Sequence, residues 1–199
     1  MQQKLWEVAI SIKQHRLLNI AYLRQGSEEA VSRVVEPLSI LFSEYYFYLN
    51  AYIIEKDIRG GYTHKYDYPA IFRIDRILDL QVQEERFRTE YANRFQEGEF
   101  RKRVQFMYPG PLQQLRFRYT GASLEAILDR LPTAKVKAQG SDGFVIEAEV
   151  YGKGILMWLL SQGGSVEVLS PQELRQEIQT TLLNMLERYQ DPSGKVTKN

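Results

Sequence analysis

The chain contains no cysteine. That single absence excludes disulfide cross-links, thiolate zinc sites and cysteine nucleophiles, and a cytoplasmic setting fits it best. Histidine is almost as scarce. His15 and His64 fall on different segments, with no carboxylate or cysteine at ligand spacing along the chain, so neither a metal site nor any other cofactor is expected. An excess of either charge is also missing: 26 Lys and Arg stand against 25 Asp and Glu, which gives no global reason to expect nucleic-acid binding and leaves any such contact to a local patch. Long apolar runs are absent too. Residues 1–12 alternate polar with apolar and carry Glu7, unlike a signal peptide or a membrane anchor, so no membrane partner is expected.

Catalytic patterns are equally thin. No glycine motif follows a strand and opens a helix as a phosphate cradle requires, and Gly152-Lys153-Gly154 reads as the turn before a helix. Serines are present, but nothing places Ser, His and an acid together. An enzyme is therefore not expected.

What the chain does have is core-building material: 44% of its 199 residues are hydrophobic, enough for one ordinary domain or two small ones. Leu5, Val8, Ala9 and Ile12 fall at helical spacing, predicting an amphipathic helix over about residues 3–15. Strand-like segments follow at 19–23, 31–42, 45–54 and 71–74, separated by Gln25-Gly26-Ser27, Ser43-Glu44 and Arg59-Gly60-Gly61. One helix and several short strands predict a small, strongly bent sheet or barrel ending near Phe87. Residues 88–107 are charged, with Tyr91, Phe95, Phe100 and Val104 loosely at helical spacing, and read as a connecting helix or helix pair before the break Pro109-Gly110-Pro111.

Beyond the break the pattern is strand (115–119), helix (122–131), two strands around Gly140-Ser141-Asp142-Gly143, helix (155–161) and strand (166–169). The order β-α-β-β-α-β is the split βαβ or ferredoxin-like arrangement. Trp158 in the second of these helices reads as a core or interface aromatic. A last helix is predicted with Ser170 as N-cap, Pro171 at its first position and Glu173 completing a capping box; Leu174, Ile178, Leu182, Met185, Leu186 and Tyr189 form its expected buried stripe. The fold class is thus α+β, divided as 1–87, a connector 88–110, 111–190 and a disordered tail 191–199.

Two features of the first half bear on function. In Phe72-Arg73-Ile74-Asp75-Arg76-Ile77, period-two geometry points Arg73 away from Phe72, and with Arg33 these guanidiniums could hold phosphates by forked hydrogen bonds. Alternatively, Arg76 pairs with Asp75 or Glu36 and merely pins the sheet. The run Tyr45-Tyr46-Phe47-Tyr48 offers either core side chains or exposed rings on which bases stack.

Arg33-Val34-Val35-Glu36-Pro37, Tyr46-Phe47-Tyr48-Leu49-Asn50-Ala51-Tyr52 and Phe72-Arg73-Ile74-Asp75-Arg76-Ile77 together resemble the signature of the WYL domain family, with Phe47-Tyr48-Leu49 in place of Trp-Tyr-Leu. Residues 154–163 and 166–175 resemble the C-terminal extension that commonly accompanies that domain. The resemblance implies an Sm-like or SH3-like small barrel with a leading helix, followed by a ferredoxin-like domain, usually behind a winged helix-turn-helix in bacterial transcription factors. It further implies a basic barrel pocket for single-stranded DNA, RNA or a small nucleotide-like anion, matched in position by Tyr22, Arg33, Tyr48, Arg73 and Arg76, and a homodimer formed partly through the C-terminal domain. DNA would be reached through a helix-turn-helix that this chain does not contain. Ala70 departs from the family, where many members carry a further arginine; one cation fewer weakens a polyanion site. The expected function is an effector-sensing and dimerising module of a transcriptional regulator; the alternative is a protein-interaction module whose arginines are structural.

Overall fold

The computed structural model describes residues 1–56, 61–88 and 95–190, which form a mixed α+β architecture of two antiparallel sheets and five α-helices. Three expectations fall partly or wholly outside the described residues: the turn at Arg59-Gly60, the segment around Tyr91, and the tail 191–199.

The chain opens with α1 (Gln2–Gln14), which ends where His15 takes a left-handed conformation. Val8 is fully buried, and Leu5 and Ile12 pack beside it, whereas Ala9 is exposed and Ser11 is buried in its place. The Ser11 hydroxyl satisfies itself on the Glu7 carbonyl at 2.9 Å, which makes this burial tolerable.

Below the helix lie β1 (Arg16–Leu23), β2 (Ala30–Ser43), β3 (Tyr46–Lys56), β4 (Tyr62–His64), β5 (Ala70–Arg73) and β6 (Ile77–Arg86), in the order β4-β3-β2-β1-β6, with β5 also paired to β3. The turns at Gly26 and Glu44 have positive φ. Leu18, Ile20, Val35, Leu49, Ala51 and Phe72 face α1 and make the core, each large aliphatic among them contributing about 1.5–3 kcal/mol of burial. Two strands go beyond those expected: three-residue β4, and β6, whose Asp79, Gln81 and Glu85 disguise a strand that borders solvent. Among the described residues no ladder joins β5 or β4 to β6, so the expected small barrel is an open, bent sheet. Its β5 and β6 edges are linked through the chain itself, by the short 3-10 turn Ile74–Arg76.

Of the connecting helix or helix pair expected over 88–107, residues 89–94 lie outside the described residues; in the described part α2 spans Glu97–Arg103. Val104 instead bridges to Tyr151, and Phe106 and Met107 adopt left-handed φ values of 51° and 54°.

The second sheet holds β7 (Leu112–Tyr119), β8 (Lys135–Gly140), β9 (Gly143–Tyr151) and β10 (Val166–Ser170) in the order β10-β7-β9-β8, all antiparallel. Helices α3 (Leu124–Arg130) and α4 (Gly154–Ser161) give the expected β-α-β-β-α-β order. Ser123 caps α3 by accepting from the Ala126 N–H at 3.2 Å. Leu115, Phe117, Ile146, Val150, Ile155 and Trp158 form the core, with the Trp158 ring edge-on to Phe117.

The last helix, α5 (Gln172–Arg188), corrects two expectations. Ser170 is not its N-cap: its backbone belongs to β10, paired with Arg116, and no side chain caps the helix, so no capping box forms. Nor is the apolar stripe buried. Leu174 is, and Ile178 packs partly, but Leu182, Met185, Leu186 and Tyr189 lie beyond β10 and α4 and are 46–86% exposed. A five-residue strand shields only the first turns of a seventeen-residue helix.

The β9–α4 turn meets the connector at backbone contact. A Cβ on Gly154 would lie 1.9 Å from the Gln105 carbonyl oxygen, and one on Gly152, at φ +65°, would lie 2.5 Å from the Pro109 oxygen. Gly154→Ala is expected to lower stability by about 2 kcal/mol or more, roughly 4–8 °C in Tm. Gly164→Ala, with nothing within 4 Å, is expected to be near neutral. Thermal unfolding followed by circular dichroism compares the two, and equal effects would show that the junction does not need its glycine.

Candidate ligand-binding corner

The five residues matched to a pocket do not share one face of the sheet. Ladder partners project to the same side, so the Tyr48↔Arg73 pairing puts that tyrosine and arginine together on the face away from α1. Tyr22 pairs with Val31, and Arg33 with Ile20, on the face toward the core. The sheet's curvature still brings Tyr22 to Arg73: its hydroxyl accepts from the Arg73 backbone N–H at 3.4 Å, while its ring meets Phe72 edge-on at 5.0 Å. Arg76 sits on the 3-10 turn between β5 and β6.

The three arginines differ in what they already hold. Arg73 donates from Nε and Nη2 to both Asp75 carboxylate oxygens, at 3.1 and 2.5 Å, and its guanidinium lies 3.4 Å above the centre of the Tyr46 ring. The Asp75 carboxyl is held below its ordinary range chiefly by those hydrogen bonds, and Arg73 is shifted upward by the same pairing. Arg33 donates to the Ser32 carbonyl at 2.8 Å and makes no salt bridge with another described residue. The Arg76 side chain makes neither a hydrogen bond nor a salt bridge to another described residue, though its charge also favours ionised Asp75. The alternative partners expected for Arg76 are therefore taken: Asp75 serves Arg73, and Glu36 faces His64 at 3.1 Å. Burial raises the Tyr48 phenol above its ordinary value, with Arg73 opposing, so Tyr48 stays a neutral donor.

Sequence reasoning offered Asp75 as a partner for Arg76 and Tyr46 only as one ring of the aromatic run; the structure gives Asp75 to Arg73 and sets Tyr46 beneath that guanidinium. The i,i+2 spacing of Arg73 and Asp75 was visible, but an intervening 3-10 turn, not a strand, is what swings the carboxylate back onto the guanidinium. The aromatic run resolves into exposed Tyr45, Tyr46 and Phe47 with a half-buried Tyr48, and Phe42 packs against Phe47 at 5.0 Å. Stacking surface and cations thus adjoin at one end of β3. Likewise, Glu36 meets His64 across strands 28 residues apart, a carboxylate companion that chain spacing could not reveal.

Asp75 links this geometry to pH. Its folded pKa lies below the unfolded value of about 3.9, so its stabilisation is complete at neutral pH and is lost as pH falls through the folded value. Asp75→Asn is expected to be roughly 0.5–1 kcal/mol less stable at pH 7, a difference that shrinks below about pH 4. Urea unfolding at pH 7 and pH 3 measures both; an unchanged gap would show that Arg73 does not depend on the carboxylate.

Residues 3–82 match the family described as the WYL domain, and residues 111–186 match the one described as the WCX domain. A comparison with curated protein sequences finds no significant match. Among solved structures, the proteasome accessory factor B/C (PafBC) of Arthrobacter aurescens is similar at 22% identity and a TM-score of 0.42, over 96% of this chain and 27% of that one. A CRISPR Cas-related protein is similar at 19% identity and a TM-score of 0.55, over 94% of this chain and 51% of that one. The second likeness supports the fold. This chain spans about a quarter and half, respectively, of those two proteins.

Proposed function

This chain belongs to the WYL-domain family, with a WCX domain behind its WYL domain, and from that premise we propose that it is the ligand-sensing and dimerising module of a bacterial transcriptional regulator. The regulator acts through an attached or partner DNA-binding domain. In this reading 1–87 is an Sm-like sheet left open at β5 and β6, 88–110 connects, and 111–190 is a ferredoxin-like unit.

The effector is a nucleic-acid-like or other anion, and the observation that carries this is the corner around Tyr46: Arg73 lies over its ring and is held by Asp75, with Arg76 left without an ion-pair partner among the described residues. A guanidinium fixed in orientation loses little entropy on meeting a phosphate, and Arg76 brings uncompensated charge. The exposed ring of Tyr45 supplies a face for a base, Tyr48 shares the face of Arg73 and Tyr22 reaches it across the curved sheet, whereas Arg33, on the opposite face, lies outside this corner. The Arg73–Asp75 pair also favours the second reading, a protein-interaction module with structural arginines, because a paired guanidinium offers less charge to a ligand.

Fluorescence anisotropy with short labelled single-stranded DNA and RNA separates the two readings. The proposal expects saturable binding that weakens with salt and is lost in Arg73→Ala/Arg76→Ala, by about tenfold or more. Undiminished binding in the variant, or none at any salt, would overturn it.

Dimerisation rests on α5, where Ile178, Leu182, Met185 and Tyr189 follow a four-three-four spacing and the last three are exposed. Leu182→Glu/Leu186→Glu is expected to turn a dimer into a monomer in sedimentation velocity without loss of helix, since both side chains are about half exposed. A native chain that is already monomeric would remove the dimer from the proposal.

A further inference from the structure

A second cavity, of about 560 Å³, opens where the first sheet, the connecting helix and the second sheet meet. Its walls are aromatic. Tyr52 comes from β3, Phe95 and Phe100 from the connector, and Tyr151 from the end of β9. Phe100 links Phe95 at 5.4 Å to Tyr151 at 5.1 Å, both tilted. Tyr52 is held from behind by His64, stacked at 4.1 Å, so its ring is fixed in orientation. Leu112 stands at the mouth, 49% exposed.

The charges in this cleft are already paired with one another. Arg103 bonds Glu99 at 2.7 Å and Glu149 at 3.0 Å, Lys102 also reaches Glu99 at 2.7 Å, and Gln114 donates to Glu149 at 2.9 Å. Arg103 and Lys102 hold Glu99 ionised, down to about 2. An anion would find no spare cation, and a cation no spare carboxylate. By contrast, the Tyr52 and Tyr151 hydroxyls and the Gln96 side-chain amide lack hydrogen bonds to other described residues. These groups both donate and accept, as the edge of a heterocyclic base requires. Burial keeps the Tyr52 phenol protonated.

We propose that this cleft is a second ligand site, which takes an uncharged purine or pyrimidine nucleoside with its base between the aromatic walls. The volume suits one such molecule. Tyr52 lies four residues along β3 from Tyr48, roughly 13 Å, so the site is separate from the basic corner and does not rest on it. A ligand touching both sheets and the connector favours the arrangement in which the cleft is formed, which makes it a lever on how the two units are held.

The test is isothermal titration calorimetry of the full chain with adenosine, guanosine, cytidine and uridine, at low and moderate salt. At least one nucleoside is expected to bind saturably with little salt dependence. Leu112→Trp, which fills the mouth, is expected to weaken it by about tenfold or more. Gln96→Ala, an exposed change that leaves folding untouched, is expected to weaken it by several-fold, about one hydrogen bond's worth. Arg73→Ala/Arg76→Ala is expected to leave it unchanged. Thermal unfolding checks that Leu112→Trp is folded. Saturation with none of the four at millimolar concentration would overturn the proposal, as would binding that survives both cleft variants. Binding lost only in the arginine variant would also overturn it, placing the base in the basic corner and leaving the anionic-effector reading intact.

Discussion

The backbone of residues 105–110 lies against the β9–α4 turn with no room for a side chain at Gly152 or Gly154. Much of the molecule follows from that contact. The Gln105 carbonyl is committed to a position beside Gly154, and Val104 to a bridge with Tyr151, so α2 cannot continue past Arg103. The two left-handed residues at Phe106 and Met107 turn the chain toward Pro109 and the start of β7. Left-handed backbone at non-glycine residues costs roughly 1–2 kcal/mol each, which the surrounding packing must offset. The same turn sets Phe100 against Tyr151 and so builds the aromatic side of the cleft between the two sheets.

Charge is handled differently at the two candidate sites. In the cleft every charged wall residue has an opposite partner, which leaves stacking and neutral hydrogen bonding as its means of selection. At the corner on β3, Arg73 is paired and stacked while Arg76 is not paired with any described residue, so the orientation of one cation is fixed and the charge of the other is spare. Asp75 thereby has opposing effects: it fixes the Arg73 fork and at the same time removes most of its net charge.

Both sites draw on β3, whose side chains Tyr48, Asn50 and Tyr52 share the sheet face away from α1. Between the two tyrosines, Asn50 is fully buried and donates to the Ser39 hydroxyl at 3.0 Å, while its side-chain Oδ1 has no hydrogen-bond partner among the described residues. An unsatisfied polar group in that place costs on the order of 1–3 kcal/mol and marks the middle of β3 as a stretch not optimised for stability alone.

The periodicity of apolar residues determined most of the elements: α1, the long strands β2 and β3, and the order from β7 to β10 all follow from patterns of about 3.6 and 2 residues, because burial of one face needs nothing beyond neighbours in the chain. It could not determine which apolar faces find a covering layer. Leu182 and Met185 carry the same pattern as Leu174, yet β10 is too short to reach them. The motif containing Arg73, Asp75 and Arg76 was legible, as was the aromatic run, because residue type and spacing are local. Asp75 pairs with Arg73 through the local 3-10 turn between them, but that Tyr46 lies beneath Arg73, that His64 meets Glu36 and that four aromatic rings from three elements line one cleft were decided only by tertiary structure, since each depends on chain segments brought together across the fold.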